Sequence, residues 1–257
     1  MEKNNLLITA QQLINMRFHL GHKKNRIHNS IIPFLEGYRN NIAILSIRII
    51  IYSFYIIIKG LKELFAQKAV FFLASTQRDL PIYEYFKQYQ SFVNKQEPSK
   101  MFVQGFMVDK WINGVFTNYF FFRKLINQIY STEYLYLNSR DKNYFYYLEG
   151  VKKRHYFPVP EIVLLFGYNF DICKEFNILN IPIIGIYDTN GNNQKYTYGI
   201  PANDDSFETL QFFFELIVDC QTNAVRLEHK RFEQFCMIKL KAAIKRYKNA
   251  LKKNVDI

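Results

Sequence analysis

Residues 161–187 read EIVLLFGYNFDICKEFNILNIPIIGIY, and this stretch decides the fold class. It opens on an apolar run of strand length, Glu161 to Phe166, and closes on another, Ile181 to Tyr187. Between them, Asp171 to Asn177 has helical character. A strand with no polar alternation must be covered on both faces, and parallel strands need a crossover between them. Two such runs joined by a helix therefore predict a parallel sheet flanked by helices.

The same pattern extends towards the N-terminus. Ala69 to Ala74 (AVFFLA) is a third apolar run rich in β-formers, followed by a helical stretch from Leu80 to Tyr89, and Met101 to Val103 is a further short strand candidate. Ile42 to Ile47 suits a short strand leading into a long helix from Arg48 to Phe65. Thr9 to Met16 reads as a short helix with Thr9 as N-cap and Gln12 at capping-box spacing. Gly21 suits the exit from that helix, and a basic loop, His22-Lys23-Lys24-Asn25-Arg26, follows and runs to Pro33. The architecture expected is α/β, with a Rossmann-like (flavodoxin-like) parallel sheet.

Two regions depart from this alternation. Ser131 to Tyr156 is polar, aromatic and basic with no clear period, an excursion from the core. Phe207 to Lys253 reads as a long helix whose Phe232, Cys236, Leu240, Ala243, Tyr247 and Leu251 form one apolar stripe. Lys241, Lys245, Lys248 and Lys252 form a basic stripe beside it. The expected organisation is an α/β domain over residues 1–225, with a shortened insertion at 131–158 and a basic helical extension at 226–257.

Composition narrows the partners. The chain has 257 residues, 49% hydrophobic and 18% aromatic, enough apolar material for a sizeable core and too much for a disordered chain. Its net charge of +12 points to a polyanion, either nucleic acid or an anionic membrane surface. The run Ile49 to Ile58 is apolar, but about 20 such residues are needed to span a bilayer, so it reads as a helix covering the sheet and no membrane span is expected. Cys173, Cys220 and Cys236 are odd in number and lack CxxC spacing, which fits free thiols in a reducing compartment. Ile, Phe, Tyr, Asn and Lys, all with AT-rich codons, are favoured, as in an organellar genome. The segment Met1 to Leu6 has neither a signal peptide's apolar region nor an Arg-rich transit helix, so an organellar protein with this start is expected to be made in the organelle.

An enzyme is the rival reading, a nucleotide- or metal-dependent hydrolase on a Rossmann-like fold. Neither GxGxxG nor GxxxxGK[ST] occurs, and the turn after Ala74 carries no glycine to admit a pyrophosphate. Asp188 with Asn203, Asp204 and Asp205 could form an acidic metal cluster. The plainer reading has Asp188 and Asn190 in a strand-end turn and Asp204 or Asp205 capping the next helix. His19 and His22 have no acid beside them in sequence to complete a metal site, so no metal and no cofactor are expected.

Specific motifs then decide between these readings. Ile181-Pro182 through Asp188-Thr189-Asn190, followed by Ile200-Pro201-Ala202-Asn203-Asp204-Asp205, resembles the I-P…D-T-N and I-P-x-N-D segments of the ribosomal protein S2 family. Phe18-His19-Leu20-Gly21-His22, with Pro33-Phe34, Gly37 and Arg39-Asn40, is similar to its N-terminal F-G-H segment. Lys110-Trp111-Ile112-Asn113-Gly114-Val115-Phe116-Thr117-Asn118 resembles its R-W-x-G-G-x-L-T-N segment, with Asn113 in place of one glycine. The blocks occur in the family's order from about Thr9 to about Ala224. Ile27-His28-Asn29 stands where the family usually has W-N-P, and the interval from Tyr130 to Val159 is shorter than the helical hairpin of bacterial members.

The resemblance implies a non-catalytic structural protein of the small ribosomal subunit, with no small-molecule substrate. Its implied partners are small-subunit rRNA and neighbouring ribosomal proteins. Composition adds the expectation of a mitochondrial ribosome. RNA-contact candidates are His22, Lys23, Lys24, Arg26, Arg39, Lys110 and Asn118, together with Lys241, Lys245, Lys248 and Lys252 of the tail. Trp111 is expected in the core.

Overall fold

The computed structural model describes residues 8–67, 69–75, 86, 103–107, 111–122, 124 and 159–224. Its centre is a five-stranded parallel sheet made of β4 (Phe71–Ser75), β5 (Val103–Met107), β6 (Ile162–Phe166), β7 (Ile183–Tyr187) and β8 (Tyr198–Pro201). The strand order is β5-β4-β6-β7-β8. Counted along the chain this is 2-1-3-4-5, the flavodoxin-like order. Every residue of β4, β6 and β7 is buried, as unbroken apolar strands require.

The two faces are covered by different elements. Helix α2 (Ile47–Ala66) and helix α4 (residues 207–224) lie on one face, where Phe65 packs against Phe71 and Phe213 against Phe166. Phe18, Phe54 and Phe212 close that layer with edge-to-face contacts of 5.6–5.8 Å. On the other face, helix α3 (Phe170–Ile178) and the loop 111–118 meet Phe72, which touches Trp111, Phe116 and Phe176. Neighbouring residues Phe71 and Phe72 thus serve opposite layers, as the pleat dictates. Each fully buried side chain of this size contributes roughly 1.5–3 kcal/mol relative to exposure. No described helix is long and apolar enough to cross a membrane.

A second, antiparallel sheet carries the N-terminal segment: β1 (Leu20–Lys23), β2 (Leu35–Arg39) and β3 (Ile42–Leu45), in the order β1-β3-β2. Asn40 and Asn41 join β2 to β3 with both residues at positive φ, 50° and 63°. That is the two-residue hairpin turn whose twist suits the flanking strands. Helix α1 (Ala10–Asn15) begins with the expected capping box between Thr9 and Gln12.

Several expectations need correction. Gly21 does not end α1. Arg17, at φ 61°, occupies the left-handed position, while Phe18 N–H donates to Leu13 O and Arg17 N–H to Ile14 O in a Schellman arrangement. Gly21 instead lies within β1, where an added Cβ would sit 2.4 Å from Thr189 Cγ2. Its small size serves a close approach, not a turn. His22 and Lys23 belong to that strand, and Lys24–Arg26 form a 3-10 turn, so the basic loop is more regular than expected. The fifth strand starts at Val103, where the expected one ends. The expected helix at 80–89, apart from Phe86, falls outside the described residues, as do the insertion at 131–158 and the tail beyond residue 224.

Candidate nucleic-acid interface

Because the strands of the main sheet are parallel, the residues that follow them gather at one edge. Tyr168 follows β6, Asp188-Thr189-Asn190 follow β7, and Asn203-Asp204-Asp205 follow β8. This is the carboxyl edge, where open α/β sheets place their functional residues. Strand β1 is docked onto it. His22 N–H donates to Thr189 Oγ1 at 2.8 Å and His28 N–H to Thr189 O at 2.8 Å. Asn203 N–H donates to Phe18 O at 3.1 Å.

Three of the carboxyl-edge groups converge on the imidazole of His22. Its Nδ1 lies 2.7 Å from Asp188 Oδ2, and its Nε2 lies 3.4 Å from Asp205 Oδ2 and from Asn190 Nδ2. The hydrogen-bonding carboxylate of Asp188 raises the His22 pKa above the ordinary imidazole value, against an opposing effect of burial, and the Asp205 and Asp204 charges add to the rise. Asp204 points inward and accepts from Tyr168 N–H at 3.0 Å. Burial first, and then the neighbouring Asp188 charge, push its carboxyl up to about 7.

The expectation that Asp204 or Asp205 caps the next helix is therefore overturned. Asp204 is taken by the Tyr168 amide, Asp205 faces His22, and Ser206 O receives the first helical bond, from Leu210 N–H. Asp188 does sit in a strand-end turn as expected, with Gly191 N–H donating to its carbonyl at 2.9 Å. His22 and the aspartates stand far apart in the sequence, and the fold joins them. One donor atom each from His22, Asp188 and Asp205 lie within 4.8 Å of one another, a spacing that could hold a divalent cation.

Beside this cluster the antiparallel sheet presents the cations. Lys23 and Arg39 flank Ile42 at one register, since Ile42 pairs with both. Lys24 Nζ stands 5.3 Å over the ring of Tyr38, which is 48% exposed. Lys23, Lys24, Arg26 and Arg39 are all exposed, and none forms an ion pair among the described residues. A cleft of about 340 Å³ is lined by Lys23 and Arg26 together with His22, Asp188 and Asp205. Tyr38 is the residue that sequence reasoning missed. Its signal was an aromatic amid Glu36, Gly37 and Arg39, on a strand too polar to bury it.

Asn118 does not join this group. It is exposed at the end of the Trp111 loop, which α3 holds through Glu175. Lys110, Lys241, Lys245, Lys248 and Lys252 lie outside the described residues. Trp111 is buried as expected, and so are the free thiols of Cys173 and Cys220, which burial pushes up to about 12 and about 11.

The profile of the family described as ribosomal protein S2 matches residues 13–224, a span that takes in both sheets and the whole carboxyl-edge cluster. The chain belongs to the ribosomal protein S2 family. Among curated proteins it is 24% identical over 232 residues to the small ribosomal subunit protein uS2 of Ehrlichia chaffeensis, covering 85% of this chain and 77% of that one. It is also 24% identical to the uS2 protein of Ehrlichia ruminantium over 234 residues, with the same coverage of 85% and 77%. The uS2 protein of Methylobacterium radiotolerans is 23% identical over 233 residues, 84% of this chain and 62% of that one. The S2 family is in general structural and non-enzymatic, with a role in the small ribosomal subunit in translation.

Proposed function

We propose that the protein is a structural constituent of the small subunit of the mitochondrial ribosome, binding small-subunit rRNA and neighbouring ribosomal proteins. The observation that carries the RNA contact is the cationic edge of the antiparallel sheet. Lys23, Lys24, Arg26 and Arg39 are fixed on strand ends and a 3-10 turn, free of acidic partners among the described residues. Cations held in this way neutralise phosphates and release counterions, and Tyr38 adds a ring for stacking. His22 contributes by pinning β1 to the carboxyl edge, so the cations beside it keep their positions. Asn118, exposed at the end of the Trp111 loop, provides a second contact region, and Lys110 and the tail at 226–257 are further RNA-contact candidates. The mitochondrial setting is supported by the AT-rich composition.

The test is binding of the full chain to small-subunit rRNA between about 50 and 200 mM salt, a range over which phosphate-driven affinity falls steeply. Lys23→Ala, Lys24→Ala, Arg26→Ala and Arg39→Ala together flatten the slope of log affinity against log salt, by about 0.7–0.9 for each phosphate no longer neutralised. An unchanged slope rejects the hairpin as the RNA surface. Co-sedimentation of the native protein with mitochondrial small subunits tests the location.

A further inference from the structure

The solvent side of α2 does not resemble the cationic hairpin. Arg48, Tyr52, Tyr55 and Lys59 fall on one stripe at helical spacing, and the two tyrosines are 65% and 68% exposed. Half-buried Ile49 and Ile56 border them, so the stripe has an apolar centre and a cation at each end. None of these four side chains has a hydrogen bond, ion pair or ring contact among the described residues. Contiguous exposed aromatic and aliphatic surface marks an interaction site, and Tyr and Arg are among the residues enriched at binding hot spots.

The neighbouring helix decides what kind of partner fits. α4 packs beside α2, with Phe212 5.8 Å from Phe54, and further along the charge of Lys62 acts on Cys220. The exposed residues of α4 include Glu208, Glu215 and Asp219, an acidic stripe in an otherwise basic chain. A nucleic acid laid across this face would gain Arg48, Lys59 and the half-buried Lys62 but meet the carboxylates of Glu63, Glu208, Glu215 and Asp219, a poor match for a uniform polyanion. A protein surface satisfies both signs and the apolar centre together.

We propose that the α2–α4 face docks a protein. The partner presents an apolar segment over Tyr52 and Tyr55, acidic residues over Arg48 and Lys59, and basic residues over the α4 stripe. The chain's own tail is a poor occupant, since its lysines would suit the α4 stripe alone and its few acids, Glu228, Glu233 and Asp256, give little to match Arg48 and Lys59. The inference goes beyond the RNA contact and uses a different surface.

The test places a photoreactive benzophenone amino acid at position 55 of the full chain, with a parallel probe at position 39, and irradiates cells expressing each. The expected adduct at 55 survives ribonuclease, is destroyed by protease, and maps to an apolar segment with Asp or Glu within one helical turn. Arg48→Glu with Lys59→Glu lowers its yield about tenfold while the unfolding midpoint stays unchanged, because both side chains are exposed. An RNA adduct at 55, no adduct there, or a protein adduct indifferent to the charge reversals overturns the docking surface. The probe at 39 reports separately: an RNA adduct supports the hairpin contact, and its absence rejects that contact whatever happens at 55.

Discussion

The indole nitrogen of Trp111 donates a 2.9 Å hydrogen bond to Oε2 of Glu175, a carboxylate buried in α3. The same carboxylate accepts from the backbone N–H groups of Gly114, Phe116 and Thr117 and from the Thr117 hydroxyl. One acidic side chain therefore shapes the loop 111–118 and ties it to the helix beneath it. A buried charge is tolerated when donors surround it. Here they come from a loop with no regular structure of its own, so the loop and the carboxylate depend on each other.

Removing that acceptor is expected to cost more than an ordinary core truncation. Glu175→Ala strands the Trp111 and Phe116 donors in the interior, while Gly114 and Thr117 are near enough to solvent to recover water. Unsatisfied buried donors cost about 1–3 kcal/mol each, so a loss of roughly 2–6 kcal/mol is expected. Urea unfolding followed by the fluorescence of the single tryptophan measures it directly, since Trp111 is the reporter. Glu175→Gln, which keeps the shape and one acceptor oxygen, falls between the variant and the parent.

Two glycines make contrasting predictions. Gly21→Ala drives a methyl against Thr189 Cγ2, a side-chain atom, at 2.4 Å. Gly185→Ala drives one against the backbone oxygen of Leu165 at 2.1 Å. Overpacking of this kind costs about 1–3 kcal/mol or more. Thr189→Ser removes the offending methyl and is expected to restore part of the stability of Gly21→Ala. No side-chain change at Leu165 relieves Gly185→Ala, because the obstacle is main chain. Equal rescue in both cases would contradict the geometry of the two close approaches.

The carboxyl-edge cluster predicts a sign for pH dependence. Asp204 has a folded pKa pushed up to about 7 from an ordinary 3.8, so the folded state holds its proton more tightly than the unfolded state. Its contribution is fully present below the unfolded value and lost as pH rises through about 7. His22, also raised, acts in the same direction from its ordinary 6.5 upward. Stability should therefore fall between about pH 4 and 7, at up to about 1.4 kcal/mol per pH unit for one proton. Asp204→Asn keeps an acceptor for Tyr168 N–H and removes the titration, so its urea midpoint should be flatter across that window. A parent-like slope in the variant would assign the effect elsewhere.

What was legible in the sequence follows from the range of each interaction. The parallel strands were readable because burial on both faces leaves an unbroken apolar run, as in Glu161–Phe166. The capping box of α1 was readable because Thr9 and Gln12 are three residues apart. Gly21 was misplaced because its reason, Thr189, is distant in the chain and only the docking of β1 brings it near. Asp204 was misread as a cap for the same reason, since the Tyr168 amide that claims it follows a different strand. The metal-spaced trio is not legible in the sequence because His22 stands far from Asp188 and Asp205 along the chain. Local rules find local partners, and this site is built from non-local ones.

Lys241, Lys245, Lys248 and Lys252 have the i, i+4, i+7, i+11 spacing that predicts one basic side of a helix. Replacing each by Glu removes two units of charge, taking the chain from +12 to +4. If the stripe follows a phosphate backbone, four phosphates regain their counterions and the salt slope of RNA binding flattens by about 0.7–0.9 for each. The weakening should be greatest at low salt, where counterion release drives binding most strongly, and should shrink as added salt screens the charges. Incorporation into small subunits, read by sedimentation at two salt concentrations, separates this from the hairpin. Variants at Lys23, Lys24, Arg26 and Arg39 weaken binding with the tail intact, and tail variants weaken it with the hairpin intact. If the two sets act on one RNA independently, their effects on log affinity add. Unchanged incorporation of the tail variant would remove the tail from the RNA-binding surface and leave the hairpin to account for it.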